Sequence, residues 1–281
     1  MEDKRQKKQM DNKLGKRVRS AVIMLPLLLL LVVKGWPLFI AVTAISAAAM
    51  YEFYKVFEDA KVKVNKVSGF ASFILLVAIV VLDKFIGINT PASQDLILIW
   101  LGTTIFAGFA KTLFGKEHDI TAGMVTSMGV LYPAFSLMHI VFVSRVPDFS
   151  HFVWIIFIAT ISTDTVAYFV GGAIGKTKLC EEISPKKTVE GAVAGVIASM
   201  LCCFLFGLFF AKGNRINCLV IGLLASIAGQ LGDLGASVFK RRLGIKDYSA
   251  LIPGHGGIMD RFDSVMFAAP LVYYYMILFV R

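Results

Sequence analysis

Charge is scarce in this sequence. Only 17% of its 281 residues are Asp, Glu, Lys or Arg, against 57% hydrophobic, and the mean hydropathy is +0.73. A soluble domain carries roughly a quarter charged residues, so that class is excluded. Cysteine is sparse as well. Cys180, Cys202, Cys203 and Cys218 have no zinc-type paired spacing, and they read as packing residues rather than ligands or disulfides. His118, His139 and His151 stand apart and suggest no metal cluster. No Pro-rich linker, internal repeat or low-complexity tract interrupts the chain, which points to one membrane domain. Basic surfaces interleaved with aromatics are missing, so the net charge of +10 does not indicate nucleic acid. A P-loop is absent too: ahead of Gly175-Lys176-Thr177, Val170 stands where that motif's first glycine belongs. No small-residue cleavage site follows the basic segment 1–19, so no secretory signal is expected.

What the chain does have is long apolar runs. They lie near 20–34, 37–54, 67–82, 93–110, 122–144, 152–172, 190–211, 217–238 and 264–280. Each is about long enough to cross a hydrocarbon core of roughly 30 Å at ~1.5 Å per residue. The expected fold is therefore an all-α polytopic membrane protein of about nine transmembrane helices. With the N-terminus in the cytoplasm, the inside segments hold 23 Lys or Arg and the outside segments 6. That bias places the loop 173–189 and the segment 239–263 on the cytoplasmic side, where soluble nucleotide would be. The chain thus divides into three regions: the basic segment 1–19, the helices of 20–150, and a C-terminal region, 151–281, that carries most of the intramembrane polar groups.

The densest polar stretch is Ser237 to Asp263, SVFKRRLGIKDYSALIPGHGGIMDRFD, set between two apolar runs. It holds five Lys or Arg, three Asp and a Gly-His-Gly-Gly turn. Basic groups suit phosphates, carboxylates suit a divalent cation, and glycines let backbone N–H groups approach an anion. A juxtamembrane loop that only obeys topology needs neither the Asp residues nor that turn.

Other polar groups sit inside the spans. In the eighth, Ser226, Gln230, Asp233 and Ser237 share one helical face, with Gly229, Gly232 and Gly235 beside them for close helix approach. An Asp within a span costs about 2.5–3.5 kcal/mol at mid-helix and is kept for function or paired with a cation. Ser226 and Gln230 suit a packing seam. In the sixth span Asp164, Tyr168 and Gly171 or Gly172 share a face; Asp164 reads equally as a metal-shell or substrate residue and as an internal partner of a cation. The run Ser184-Pro185-Lys186-Lys187 reads as a helix start, Ser184 capping, with both lysines at a phosphate-binding N-terminus. Glu190 reads as a partner of Lys186 or Lys187 or else as a functional carboxylate, and Gly191 with Gly195 as a close-packing face.

Ser237, Phe239, Lys240, Arg241, Lys246, Asp247, Pro253, His255, Gly256, Gly257, Ile258, Asp260, Arg261, Phe262 and Asp263 together resemble the C-terminal pattern of the phosphatidate cytidylyltransferases. The similarity is specific over those residues and looser from about Ile161 to the C-terminus. It implies transfer of CMP from CTP to phosphatidic acid, giving CDP-diacylglycerol and pyrophosphate, in a bacterial-type inner membrane and as a homodimer. That the nucleotide is CTP follows from the resemblance alone.

On the residues themselves, Asp233 and Asp260 are expected to converge at the cytoplasmic face and hold Mg²⁺, with room for a second cation. Lys186, Lys187, Lys240, Arg241, Lys246 and Arg261 neutralise phosphates, and Gly256 and Gly257 beside His255 form the turn that faces them. Asp247 and Asp263 act behind the metal or pair with Lys246 and Arg261, and Ser237 and Asp164 complete the substrate-facing set. The phosphate of phosphatidic acid, second pKa near 6, is mostly a dianion at neutral pH, so His255 need not be a base. The alternative class is a transporter coupling ions through Asp164 and Asp233. Transporters carry such residues in both inverted halves, whereas here they crowd into the second, which favours an enzyme. A CTP-dependent polyprenol kinase would share nucleotide and membrane but not the 237–263 pattern.

Overall fold

The computed structural model describes residues 34–86, 91–114, 119–251 and 256–280. The basic segment 1–19 and, apart from Lys34, the expected first span lie outside the described residues, as do His118, Pro253 and His255. Among the described residues, eight helical segments are long and apolar enough to cross a membrane, and they coincide with the other eight expected spans. The chain is an all-α polytopic membrane protein, with one small hairpin among the described residues.

In order the elements are α1 (Gly35–Asp59), α2 (Lys66–Ile86), α3 (Pro91–Phe114), α4 (Ile120–Gly129), α5 (Ser136–Arg145), α6 (Val153–Ile174), β1 (Lys178–Cys180), β2 (Ser184–Thr188), α7 (Val189–Phe210), α8 (Arg215–Arg242) and α9 (Met259–Tyr275). A π-helical turn, Val130–Phe135, joins α4 to α5 within one span. Pro133 sits in that turn, and the wider turn absorbs a residue that has no N–H to give an α-helix.

The described residues divide into two compact units, those within 43–138 and those within 34–42 and 139–280. Inside the first, Tyr54 donates its hydroxyl to the Thr126 carbonyl at 2.6 Å, and its ring fills the space a Cβ would need at Gly69 and Gly129. The Trp100 indole donates to the Ser72 carbonyl at 2.8 Å. The second unit is built on α6, α7, α8 and α9, each packed on the next in order, with α6 also touching α8 and α9.

Helix α7 explains how that packing works without water to drive it. Gly191, Gly195, Ser199, Cys203 and Gly207 are buried, while Val193, Ile197, Leu201 and Leu205 form an outward stripe, each about half exposed. Lipid solvates large apolar side chains as well as a protein core does, so the small residues turn inward and let backbones touch. A Cβ at Gly191 would lie 2.6 Å from the Ala167 carbonyl oxygen, and one at Gly195 2.8 Å from that of Thr163. Gly232 meets the Asp263 carbonyl in the same way at 2.5 Å, whereas Gly235 has open space. Gly191→Ala is therefore expected to lower the stability measured by thermal unfolding in detergent by about 1–3 kcal/mol through overpacking. Gly235→Ala should instead gain up to about 1 kcal/mol from helix propensity.

Two expectations about element ends are corrected. Helix α8 runs to Arg242 and α9 begins at Met259, so Lys240, Arg241, Asp260, Arg261 and Asp263, which lie between the expected spans, are on helices. Hydropathy marks where the hydrocarbon ends, not where the helix ends. The basic last turn of α8 and the acidic first turn of α9 also complement their helix dipoles. The second correction is at Ser184–Thr188, an extended strand paired antiparallel with β1 rather than a helix start. The cap of α7 is Thr188, whose side chain accepts from the Gly191 N–H at 3.2 Å.

Candidate active site

The hairpin β1–β2 lies over the ends of α6 and α7, and several bonds fix it there. Lys178 donates across it to the Pro185 carbonyl at 2.7 Å, and Arg241 at the end of α8 donates Nε to the Ile183 carbonyl at 3.2 Å. At the other margin the Glu190 carboxylate, in the first turn of α7, accepts from the Thr177 N–H at 3.0 Å. Glu190 thus ties the hairpin's root to α7 and does not pair with Lys186 or Lys187 as expected.

Under the hairpin is a cavity of about 400 Å³. α6 lines it with Asp164, Ala167, Tyr168, Gly171 and Gly172; the hairpin with Leu179, Lys186, Lys187 and Thr188; α7 with Ala192; and α8 with Gln230 and Asp233. Opposite charges meet inside it. Lys187 Nζ lies 2.6 Å from Asp233 Oδ2, both side chains about a quarter exposed. Asp233 also acts electrostatically on Asp164 and on Asp263, and the Ser264 hydroxyl donates to Asp164. A set of three linked carboxylates therefore faces Lys187 and Lys240, and Lys240 is shared with Asp260. The cavity lining itself sets two carboxylates, Asp164 and Asp233, against two ammonium groups, Lys186 and Lys187, with Asp263 outside the lining. Among the described residues no group of three or more His, Cys, Asp or Glu closes a metal cage by itself. Mg²⁺ does not need one, because it takes one or two carboxylates and completes its shell with water and phosphate oxygens.

The other faces of α8's polar stripe are used for packing. Thr163 donates to the Ser226 hydroxyl at 2.7 Å, and Gln230 donates to the Ala192 carbonyl at 3.3 Å. Ser237 is half-buried on the same helix.

Asp260 has a different environment from Asp233. Its Oδ1 accepts from Lys240 at 2.8 Å, and its Oδ2 accepts from the Tyr248 N–H at 2.8 Å and the Gly257 N–H at 3.0 Å. The carboxylate is only 3% exposed. One buried side chain thus clasps the end of α8, the loop 243–251 and the turn before α9. Tyr248 closes the clasp by donating its hydroxyl to the Ala236 carbonyl at 3.3 Å, with Lys240 over its ring. Gly256 has φ +83°, and a Cβ there would meet Asp260 Oδ2 at 2.9 Å, so both backbone and space require glycine. The expected pairing of Asp233 with Asp260 thus resolves into two settings: Asp233 on the cavity beside Asp164 and Asp263, and Asp260 inside the clasp. Lys246, Asp247 and Arg261 are exposed around it, and His255 lies outside the described residues.

Three contributors are absent from the expected set: Thr188 as the cap, Ser264 on Asp164, and Tyr248. Thr188 does carry a signal, since it immediately precedes the first apolar residue of α7 and so holds the usual cap position. Tyr248 acts through its backbone N–H and a tertiary hydroxyl contact, which leave no mark in residue spacing.

Comparison with known proteins finds the cytidylyltransferase family matching residues 15–279. The chain is 43% identical over 148 residues to a phosphatidate cytidylyltransferase of Staphylococcus haemolyticus, covering 52% of this chain and 55% of the relative. It is 47% identical over 119 residues to a phosphatidate cytidylyltransferase of Bacillus subtilis, covering 42% and 44%. The uncharacterized protein YnbB of Escherichia coli is 30% identical over 174 residues, covering 62% and 53%. The chain spans about half the length of the curated relatives it matches.

Proposed function

The chain belongs to the cytidylyltransferase family, and from that premise we propose that it transfers CMP from CTP to phosphatidic acid in a bilayer. The observation that carries this reading is the cavity where Asp164 and Asp233 meet Lys186 and Lys187, within the span matched to the family. In the reaction a phosphate oxygen of phosphatidic acid forms a bond to the α-phosphorus of CTP. The bond from that phosphorus to the oxygen bridging toward the β-phosphorus breaks, and its electron pair leaves on pyrophosphate. The attacking phosphate is already a dianion near neutral pH, so no side chain has to remove a proton. Catalysis then rests on position and charge.

Lys186 and Lys187 hold the nucleotide's phosphates, and Gln230, fixed on α7, borders them. Asp233, with Asp164 beside it, would hold Mg²⁺, and a second cation would have to draw on the nucleotide's phosphate oxygens. Bound there, the ion supplies neutralisation of the charge that develops on the departing pyrophosphate. Asp260 keeps Lys240, Tyr248 and the glycine turn in register around the site. We place the site at the cytoplasmic face of a bacterial inner membrane, supported by the excess of 23 basic residues inside over 6 outside. A homodimer is part of the same reading and rests on the family resemblance.

The test is incorporation of label from α-³²P-CTP into lipid by the purified chain given phosphatidic acid and Mg²⁺. Lipid-linked label appearing in step with pyrophosphate is the expected result. Label that stays in water under every divalent ion tried would remove the proposal.

A further inference from the structure

Lys187 reaches Asp233 from the last residue but one of β2, with 2.6 Å between ammonium and carboxylate. The neighbours of that contact are also charged: Asp164 interacts with both members, and Asp263 interacts with Asp233. The lysine ammonium is thus the cation this acidic wall holds. A divalent ion binding Asp233 competes with it, because the ammonium already occupies Oδ2 and repels a second cation beside it.

The contact is built to be exchanged. Both side chains are only partly buried, at 28% and 27% exposure, and both open onto the cavity. Lysine carries its charge on a flexible four-carbon stem that can swing without moving the strand. The strand itself is held by bonds that do not involve Lys187, namely Lys178 to Pro185, Arg241 to Ile183 and Thr177 to Glu190. A triphosphate entering beside the exposed Lys186 would offer Lys187 oxygens of higher charge than one carboxylate.

We propose that Lys187 is a built-in competitor for the metal at Asp233, drawn off by the nucleotide's phosphates, so that nucleotide and metal bind cooperatively. This rests on the cytidylyltransferase reading above. Bare metal then binds weakly, and the metal face of Asp233 opens when nucleotide is present. By linkage, each ligand raises the affinity of the other by the same factor.

The experiment uses the full chain in detergent, with Mn²⁺ titrated in the absence of nucleotide and free Mn²⁺ read by electron paramagnetic resonance. Lys187→Gln should bind Mn²⁺ about ten-fold tighter than the unmodified chain, within the range of ordinary site couplings. Lys187→Met should do the same, and Lys187→Arg should stay close to the unmodified chain. A second arm measures labelled CTP by equilibrium dialysis with EDTA present. There Asp233→Asn releases Lys187 and should tighten CTP binding, and that gain should vanish when Lys187→Gln is added. Equal Mn²⁺ affinity with and without Lys187 overturns the proposal, as does a gain from Asp233→Asn that survives in the double variant. A chain that binds no CTP at all overturns the functional reading along with it, whereas CTP binding with an unchanged Mn²⁺ response removes only the role of Lys187.

Discussion

Asp260→Asn is expected to abolish turnover and to cost about 3–5 kcal/mol of stability at once, because it breaks a buried ion pair from one side. Lys240 is only 14% exposed and would lose its 2.8 Å carboxylate partner, leaving Asp263 as the carboxylate still acting on it. The amide cannot restore the pattern by rotating. Its oxygen can serve either Lys240 or the two backbone N–H groups of Tyr248 and Gly257, and its NH₂ then faces the other donors. Thermal unfolding in detergent gives the magnitude, and limited proteolysis between 243 and 258 should show where the chain opens. Adding Lys240→Met should return much of the stability, since replacing a buried pair is far milder than breaking it. Activity that returns with stability marks Asp260 as a positioning residue, and activity that stays lost while stability recovers would give it a direct part in catalysis.

Asp233→Asn should separate the same two properties. Its ion pair with Lys187 is partly exposed, of a kind worth about 0–1 kcal/mol, so unfolding should barely shift. Turnover should nevertheless fall on the order of 10²–10³-fold, the usual cost of losing one preorganised electrostatic group. Raising Mg²⁺ should not restore it. The measurement pairs initial rates of lipid labelling with the unfolding midpoint of the same preparation. A variant that loses stability and rate together would make Asp233 part of the scaffold instead.

The eight described spans are legible in the sequence because a run of about twenty apolar residues has few other uses. Their ends are not. Lys240, Arg241 and Arg242 stop a hydropathy count at the membrane boundary while the helix continues beneath them, and Asp260 to Asp263 do the same before α9. The hairpin escapes a sequence reading because Ser184-Pro185 suits a helix start as well as a strand entry; the pairing with Lys178–Cys180 that decides between them is a contact at a distance. Within the site, the residue types are readable and the partnerships are not. Asp233 and Asp260 end adjacent spans and look equivalent in the sequence. Which one receives a backbone cradle and which one faces a cavity depends on how the intervening loop folds back, through Tyr248 in particular.

Ribosomes deliver this chain from its N-terminus, and the clasp on Asp260 imposes an order on its assembly. Its three partners, Lys240, Tyr248 and Gly257, are all synthesised before it. Until α9 emerges, Lys240 lacks the counter-ion that its buried position requires, and the loop it should anchor has nothing to close upon. The same delay holds for Lys187, which waits for Asp233 on the next helix but one along the chain from β2. Both contacts therefore close only after every residue they join has been made. Without α9 the basic end of α8 would lack the Asp260 carboxylate, and the loop 243–251 would lack the side chain that ties it to that helix.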